Sequence, residues 1–464
     1  YAKGASVLAA LVGYVGRESF FKGIKSYLAA HAYANATLAD LLAELEATSG
    51  RDLGAWTRVW LQEAGVTTLR TEITTDDDGV ITSAAVLQEI PAGSPATLRP
   101  HRVAIGCYTL TGRDERARLE RTDRIELDVD GASTPVPGLV GTRRADVLLL
   151  NDDDLTYAKV RLDGASLATG LERVDAFAES LPRSVLLASA WDLVRDGELP
   201  ASRFLAAALA ALRVETHSSV VQGLLNRVTT CLSHYLPQAD RAPAASATAE
   251  TLLALARAAE AGSDAQLQLV RAVAEHAVTD EQTAAVAAWL DGSEALDGLV
   301  VDQDLRWELL IGLVAAGRAG EAEIAAEEGR DLTTTGRERA AQARGERPER
   351  VTVTGTGWAQ TGGTSSVCTL SVRQPLSRSD RRNVPYMLRP GSAIHAAPSG
   401  ARACPRKRVT GGTKRSSYMM SPPQRRKMLP GLTAGCRQSM TVHKGWPAAL
   451  WWALRLAKRR ASGS

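Results

Sequence analysis

The longest regular pattern in the sequence runs from Ser166 to about Arg347, where apolar residues recur at helical spacing almost without interruption. The stripe Leu205, Leu209 and Leu212 is typical of the series. The segments are short, end at small polar or glycine-containing turns, and show no strict repeat, which argues against an array of fixed period. Residues 164–350 are therefore predicted to form an irregular α-helical solenoid of antiparallel helices.

Before this helical region, the apolar residues follow a two-residue period. Between residues 66 and 163 apolar and polar residues alternate in short runs separated by polar turns, which indicates β-strands. Val147–Leu150 is predicted to be a buried strand, and Leu155–Leu162 to be one more. Half a dozen or so strands over about 100 residues predict a small β-sandwich domain.

Residues 1–65 are predicted to form short helices. Thr37 and Asp40 have the spacing of a capping box, and the apolar stripe that follows ends at Ser49-Gly50. Trp56 and Trp60 share one side of the next helical segment, and we expect them in the core.

Two sets of possible metal ligands do not have the pattern of a site. Asp152, Asp153 and Asp154 are consecutive, whereas calcium loops alternate their ligands, so a solvated turn is predicted instead. His217, His234 and His276 each lack a second ligand one helical turn away and are expected at surface or hydrogen-bonded positions.

Charge divides the chain near residue 350. Residues 351–464 contain 20 Lys and Arg but a single acid, Asp380, whereas residues 1–350 carry 35 basic and 51 acidic residues. Three explanations remain open for this basic, low-order tail: a disordered segment that contacts phosphates, a translated frameshift, or an appended domain. The frameshift is the preferred hypothesis, because the change is abrupt. Ala448–Arg460 could form a short basic amphipathic helix at a membrane surface.

Three runs of sequence resemble one enzyme family: Tyr1-Ala-Lys-Gly-Ala-Ser-Val-Leu, Gly16-Arg-Glu-Ser-Phe-Phe-Lys-Gly and Leu148-Leu-Leu-Asn-Asp-Asp-Asp-Leu-Thr-Tyr. They are similar to the actinobacterial type of aminopeptidase N, a zinc metallopeptidase family of the gluzincin class. The resemblance implies three parts: helices that end a thermolysin-like catalytic domain (1–65), a β-sandwich (66–163) and a helical superhelix (164–350). The chain is then expected to begin within the catalytic domain, and the resemblance stops near residue 350.

The resemblance assigns one catalytic residue. In the family a Tyr-x-Lys-Gly segment supplies a tyrosine that stabilises the tetrahedral intermediate, and that role falls on Tyr1. The family's zinc is held by a His-Glu-x-x-His helix and a distal Glu, and a Met-Glu-Asn loop binds the substrate's amine. Neither motif occurs in the sequence. Zn²⁺ is therefore expected in the full-length parent only, with no metal or cofactor ligand in this chain.

The resulting prediction is a partial zinc-dependent aminopeptidase that acts on peptide substrates in its full-length form and is inactive alone. The alternative is a non-catalytic peptide- or protein-binding scaffold. We expect no specific nucleic-acid partner and no transmembrane segment, because no apolar run approaches about 20 residues. The five cysteines are odd in number and form no CxxC pair, which favours a reduced, cytoplasmic protein. The oligomeric state is left open.

Overall fold

The computed structural model describes residues 2–112, 117–347, 352–355 and 368–371. These ranges contain fourteen α-helices and nine β-strands. The chain is thus mostly helical with small sheets, as the sequence predicts.

The first four helices are α1 (Ala2–Val15), α2 (Arg17–Ala30), α3 (Leu38–Ser49) and α4 (Gly54–Thr57), the last continuing as a π-helical turn over Arg58–Gln62. They share an apolar core of their own, formed by Val7, Leu11, Val15, Phe20, Ile24, Leu41, Leu45, Leu53, Trp56, Val59 and Trp60. Trp56 and Trp60 are 2% and 7% exposed, so the prediction of core positions is confirmed.

Helix α3 shows why the local sequence predicts its ends. The backbone N–H of Asp40 donates to the Thr37 hydroxyl, and Asp40 Oδ2 accepts from the Thr37 N–H at 2.7 Å. Two helix-end donors are thereby satisfied reciprocally. At the other end Gly50 adopts φ 69°, the left-handed conformation that terminates helices at low cost for glycine.

Seven strands follow: β1 (Thr68–Thr75), β2 (Ile81–Glu89), β3 (His101–Thr111), β4 (Arg118–Val129), β5 (Ser133–Pro135), β6 (Val147–Leu150) and β7 (Lys159–Arg161). They form a four-stranded sheet in the order β5-β2-β1-β7 and a three-stranded sheet in the order β4-β3-β6. Strand β7 pairs with β1 in parallel, and the other neighbours are antiparallel. The register of β3 and β4 shifts between Cys107 and Tyr108, where Thr122 of β4 is the extra residue of a β-bulge.

One strand prediction needs correction. The segment predicted as a strand over Leu155–Leu162 is extended only at Lys159–Arg161. Its first residues belong to a turn in which Asn151 is paired with Thr156: the Asn151 side chain donates to the Thr156 carbonyl and accepts from the Thr156 N–H, both at 3.1 Å. This side-chain pairing takes the backbone groups that a strand would use.

The remaining helices are α5 (Gly164–Glu172), α6 (Ser180–Arg195), α7 (Ala201–Leu212), α8 (Ser218–Thr230), α9 (Gln238–Ala258), α10 (Asp264–His276), α11 (Asp280–Asp291), α12 (Gln303–Ala315), α13 (Glu321–Arg330) and α14 (Thr334–Gly345). The helical prediction for this region is confirmed. Helix α10 contacts α8, α9, α11 and α12, and α12 contacts α14. One apolar core runs without a break from Leu69 in β1 to Leu313 in α12.

Beyond residue 347 the described residues are limited to β8 (Thr352–Gly355) and β9 (Cys368–Ser371), which pair antiparallel. The rest of the predicted basic tail, including the helix at Ala448–Arg460, lies outside the described residues. Among the helices that the structure describes, none combines the length and apolar character needed to cross a bilayer.

Candidate functional site

Tyr1, the candidate catalytic residue, lies outside the described residues. Helix α1 begins at the next residue, so the packing of α1 determines where the backbone that follows Tyr1 is held. Val7, Leu11 and Val15 of α1 are at most 6% exposed, in the core of the N-terminal helices. A Cβ at Gly13 would lie 2.7 Å from the Leu155 carbonyl oxygen, so a glycine permits α1 to approach the turn before β7. Helix α1 is thereby held against the turn before β7.

A row of aromatic rings connects α1 to the second sheet. The ring centroids of Tyr14 and Trp56 are 6.4 Å apart, those of Trp56 and Trp60 5.7 Å, and those of Trp60 and His101 5.3 Å. The guanidinium of Arg51 lies 4.4 Å from the Tyr14 ring centroid. Stacked and edge-on aromatic pairs add directional contacts to the burial of apolar area. The row fixes α1 and α4 against the start of β3.

His101 ends that row and is fully enclosed. It is 1% exposed, and its two ring nitrogens lie 2.9 Å from Thr67 Oγ1 and 2.7 Å from Thr156 Oγ1. Burial, together with the nearby charge of Arg99, lowers the pKa of His101 to about 3. The imidazole is therefore neutral at physiological pH, and from β3 it bridges Thr67, the residue before β1, and Thr156 in the turn before β7.

Arg99 closes the end of the π-helical turn. Its side chain is buried and donates to the carbonyl oxygens of Val59 at 3.1 Å, Glu63 at 3.3 Å and Ala64 at 2.8 Å. Carbonyls at a helix end have no partner within the helix, and a five-donor guanidinium can satisfy several of them at once. Arg99 thus joins the N-terminal helices to the strand region.

The acidic run after β6 forms the predicted turn, with Asp153 partly exposed and Asp154 exposed, but its first residue is not solvated. Asp152 is completely buried, with its Oδ1 atom accepting from the Tyr108 hydroxyl at 3.0 Å and its Oδ2 atom from Arg121 Nη1 at 2.9 Å. Burial raises the pKa of Asp152, and the hydrogen bond from Arg121 opposes that shift. The prediction was wrong for this residue because its partners come from β3 and β4, far away in sequence.

The second aspartate of the run extends this cluster along β4. Asp153 accepts from Arg121 at 3.1 Å and from Arg124 at 2.7 Å, and Arg124 also pairs with Glu126. Each carboxylate shares an arginine with the next, and the groups are partly exposed except for Asp152. The arginines of β4 neutralise the acidic turn, and the ion pairs hold the turn against β4.

Zinc does not fit the residues present. In the ranges that the structure describes, no three His, Cys, Asp or Glu side chains converge in a way that could hold a metal ion. The predicted hydrogen-bonded or surface histidines are found as such: His276 lies 2.9 Å from Thr229 Oγ1, His234 lies 2.7 Å from Ser233 Oγ, and His217 is exposed. No chemical step at a metal is therefore derived from these residues.

A polar groove of about 200 Å³ lies among helices α8, α10, α12 and α14. Its charged and amide side chains are Gln222, Asn226, Gln268, Arg271, Glu275, Glu308, Gln342 and Glu346. The Gln268 Oε1 and Arg271 Nε atoms are buried and have no hydrogen-bond partner within the described part of the chain. The groove is thus lined by side chains that carry both hydrogen-bond acceptors and donors.

Sequence reasoning missed His101 and Arg99, although both hold the N-terminal helices in place. Each is a single polar residue next to Pro100, with no motif around it. Their importance comes from burial and from partners more than 30 residues away. A linear pattern carries no signal of that kind.

Two family profiles match the chain. The peptidase family M1 domain matches residues 1–62, and the ERAP1-like C-terminal domain matches residues 147–355. Aminopeptidase N of Streptomyces lividans is 52% identical over 354 residues, which are 75% of this chain and 41% of that protein.

More distant relatives give shorter matches. Aminopeptidase M1-B of Oryza sativa subsp. japonica is 30% identical over 173 residues, covering 37% of this chain and 19% of the relative. Tricorn protease-interacting factor F2 of Thermoplasma volcanium is 43% identical over 70 residues, covering 15% and 9%. The chain thus spans less than half the length of these relatives. The two profiles in this order, with the identity to aminopeptidase N, make the chain similar to the C-terminal part of peptidase family M1 proteins.

Proposed function

We propose that this chain is part of a zinc-dependent aminopeptidase that hydrolyses N-terminal residues from peptides. The 52% identity to an aminopeptidase N over three quarters of the chain carries the proposal. Residues 1–65 then represent the end of the catalytic domain, 66–163 a β-sandwich and 164–350 a helical superhelix. The two sheets that share one core, and the helices that continue it, are compatible with this division.

Tyr1 is the residue assigned to the chemistry. A tyrosine hydroxyl with a pKa near 10 is protonated at neutral pH and can donate to an oxygen that gains negative charge. Such a donor must be held in place before the reaction, and α1 is anchored by its buried face, by Gly13 and by the aromatic row. Because the 464 residues lack the zinc-binding motif, the proposal requires zinc ligands from further sequence.

The cysteines support a reducing, cytoplasmic location. Cys107 and Cys231 are both buried and free, and burial raises the pKa of the Cys107 thiol to about 11 and that of Cys231 to about 12. Thiols with such values remain protonated and unreactive at neutral pH. They behave as small apolar core residues, as cysteines of cytoplasmic proteins commonly do.

The polar groove favours a second function, a scaffold that binds peptide or protein without catalysis. Amide and charged side chains from four helices converge there, and two of their buried polar atoms lack partners among the described residues. An extended peptide backbone offers both donors and acceptors, which can pair with the amide and charged side chains that line the groove.

Hydrolysis of an aminoacyl-arylamide separates the two functions when it is measured on the chain extended upstream to include zinc ligands. If the protein is the enzyme, we expect hydrolysis that 1,10-phenanthroline abolishes. Tyr1→Phe should then lower kcat by about 10²–10³-fold. Tyr33→Phe is the matched control, because Tyr33 is fully exposed, and should leave kcat unchanged. An upstream sequence without a His-Glu-x-x-His run would refute the aminopeptidase assignment and favour the scaffold function. Full activity in Tyr1→Phe would refute the catalytic role of Tyr1.

A further inference from the structure

An apolar pocket of about 200 Å³ lies between the end of α11 and the loop that leads to α12. Its apolar lining consists of Trp289, Leu290, Ala295, Leu296, Leu299 and Val301. Sites for complete small molecules have about 300–1,000 Å³, so this pocket has space for one large side chain. Val300, between two of the lining residues, is 77% exposed, so the apolar surface continues beyond the pocket.

The loop that forms one wall of the pocket is fixed by its own contacts. Glu294 accepts a hydrogen bond from Trp289 Nε1 at 3.3 Å and another from Arg257 Nη2 at 3.1 Å. The loop also touches the turn between α9 and α10, because a Cβ on Gly298 would lie 2.4 Å from the backbone nitrogen of Gly262. A preformed pocket needs little further ordering when a side chain enters it.

Exposed carboxylates are concentrated at this end of the helices. Residues 258–305 include ten acids but a single Lys or Arg, Arg271, which lines the polar groove. Six exposed acids lie at the ends of α9, α10, α11 and α12 or in the loops between them, and we call them the acidic edge: Glu260, Asp264, Asp291, Asp297, Asp302 and Asp304.

The charge of the acidic edge is not compensated by nearby cations. Arg257 is paired with Glu294 at 3.1 Å and Arg306 with Glu327 at 2.8 Å. Four carboxylates of the edge make no hydrogen bond or ion pair with the residues that the structure describes: Glu260, Asp264, Asp297 and Asp304. A concentrated negative field attracts cationic groups. The fitting occupant therefore carries a large apolar side chain next to several Lys or Arg residues.

One segment of this chain has that composition. Ala448–Arg460, outside the described residues, contains two tryptophans, three leucines, four basic residues and no acid. Its charge is opposite in sign to the net charge of residues 1–350. Residues 372–447 separate it from the described part of the chain, and at about 3.3 Å per residue they are long enough to reach the acidic edge.

We propose that Ala448–Arg460 binds the acidic edge of its own chain, with Trp451 or Trp452 in the apolar pocket and the basic side chains against the carboxylates. The covalent connection raises the effective concentration of the segment to about the mM range, so a weak contact is enough to be populated. The proposal goes beyond the aminopeptidase and scaffold functions, and it does not depend on the origin of the tail.

Hydrogen–deuterium exchange of the full chain, read by mass spectrometry, tests the proposal. At low salt the amides of loop 292–302 should exchange about 10-fold more slowly than in a variant with Trp451→Ala and Trp452→Ala, because the bound segment covers the loop. Trp446→Ala, outside the segment, is the matched control and should exchange like the parent. About 1 M NaCl, which shortens the Debye length to about 3 Å, should remove most of the protection.

Carbodiimide crosslinking identifies the surface that the segment touches. In the full chain the amine of Lys458 should be joined to carboxylates of the acidic edge, Glu260 among them. Asp297→Lys combined with Asp304→Lys should remove the Glu260 crosslink by charge repulsion. Glu72→Lys, an exposed position of β1, is the control and should leave it in place. A mixture of isotope-labelled and unlabelled chains shows whether both ends of a crosslink belong to one molecule.

Four outcomes would overturn the proposal. The first is equal loop exchange in the parent and in the tryptophan variant, and the second is a set of Lys458 crosslinks confined to other acids. Crosslinks found only between labelled and unlabelled chains would assign the surface to a second copy. Protection of Ala448–Arg460 only after phosphatidylglycerol vesicles are added would assign the segment to a membrane surface. Unchanged exchange in β3 of every variant shows that the fold is retained.

Discussion

The hydroxyl of Tyr108 donates to the carboxylate of Asp152 at 3.0 Å, inside the protein and 44 residues away in sequence. The pair joins β3 to the turn after β6, where Arg121 completes the carboxylate's partners. Gly106 makes the approach possible, because a Cβ at that position would collide with Asp152 and with the Tyr108 ring.

Removal of the Tyr108 hydroxyl should therefore destabilise the fold. Tyr108→Phe leaves a buried carboxylate with one partner fewer, and we expect a loss of about 1.5–3 kcal/mol in the free energy of unfolding. Urea denaturation measures it. Tyr157→Phe is the control, since that partly buried tyrosine has no hydrogen bond to the described residues, and should change stability by less than about 0.5 kcal/mol. Equal effects in the two variants would mean that the Tyr108 hydrogen bond contributes nothing.

His101 should make the fold sensitive to acid. Its pKa falls from 6.5 in the unfolded chain to about 3 in the folded protein, so between these values the unfolded state binds the extra proton. Stability is then lost as the pH falls below 6.5, by about 1.4 kcal/mol per pH unit until about pH 3.

A variant without a titrating group separates this effect from general acid denaturation. His101→Gln retains a polar side chain but cannot gain the proton, so its unfolding free energy should change less between about pH 6.5 and pH 4.5 than that of the parent. The expected difference in that change is about 2 kcal/mol. Parallel curves for the two proteins would contradict a neutral buried imidazole.

Two glycines in helix interiors should respond in opposite directions to the same substitution. A Cβ on Gly312 of α12 would collide with the carbonyl oxygen of Ala274 in α10, whereas Gly223 of α8 has no atom within 4 Å of that position. Gly312→Ala should cost about 1–3 kcal/mol by overpacking. Gly223→Ala should stabilise by about 0.5–1 kcal/mol through helix propensity. Thermal melts of both variants decide the matter, and the same sign in both would refute the close crossing of α10 and α12.

Arg99 should be irreplaceable by lysine. A single ammonium cannot reach the carbonyls of Val59, Glu63 and Ala64 together, so Arg99→Lys leaves buried acceptors without donors, at about 1–3 kcal/mol. Arg102→Lys is the matched control, because Arg102 forms partly exposed ion pairs, worth about 0–1 kcal/mol. Unfolding monitored by tryptophan fluorescence suits both variants, since Trp60 lies beside Arg99. Equal losses in the two would argue against the role of Arg99 as a cap.

Features that depend on neighbouring residues were predictable. Both ends of α3 follow from Thr37, Asp40 and Gly50, which act within one helical turn. The helical period of residues 166–347 and the buried strand Val147–Leu150 were also found where expected, because burial imposes its period directly on the sequence.

Features that depend on distant partners were not predictable. Asp152 looks like part of a solvated acidic turn until Tyr108 and Arg121 are brought to it by strand pairing. Leu155 was expected in a strand. The Asn151 side chain instead bonds the backbone groups of Thr156, which then cannot pair with a strand. Tyr1, the candidate catalytic residue, rests on the family resemblance and stays a prediction.

The apolar core that passes from β1 through the helices to α12 limits which parts of the chain can be exchanged between related proteins. The strands and helices pack against each other in one core. A substitution on a strand face therefore disturbs the packing of the helix residues that contact it. Recombination near residue 163 would join surfaces shaped for different partners. Sheets and helices in this lineage are therefore expected to be inherited as one block.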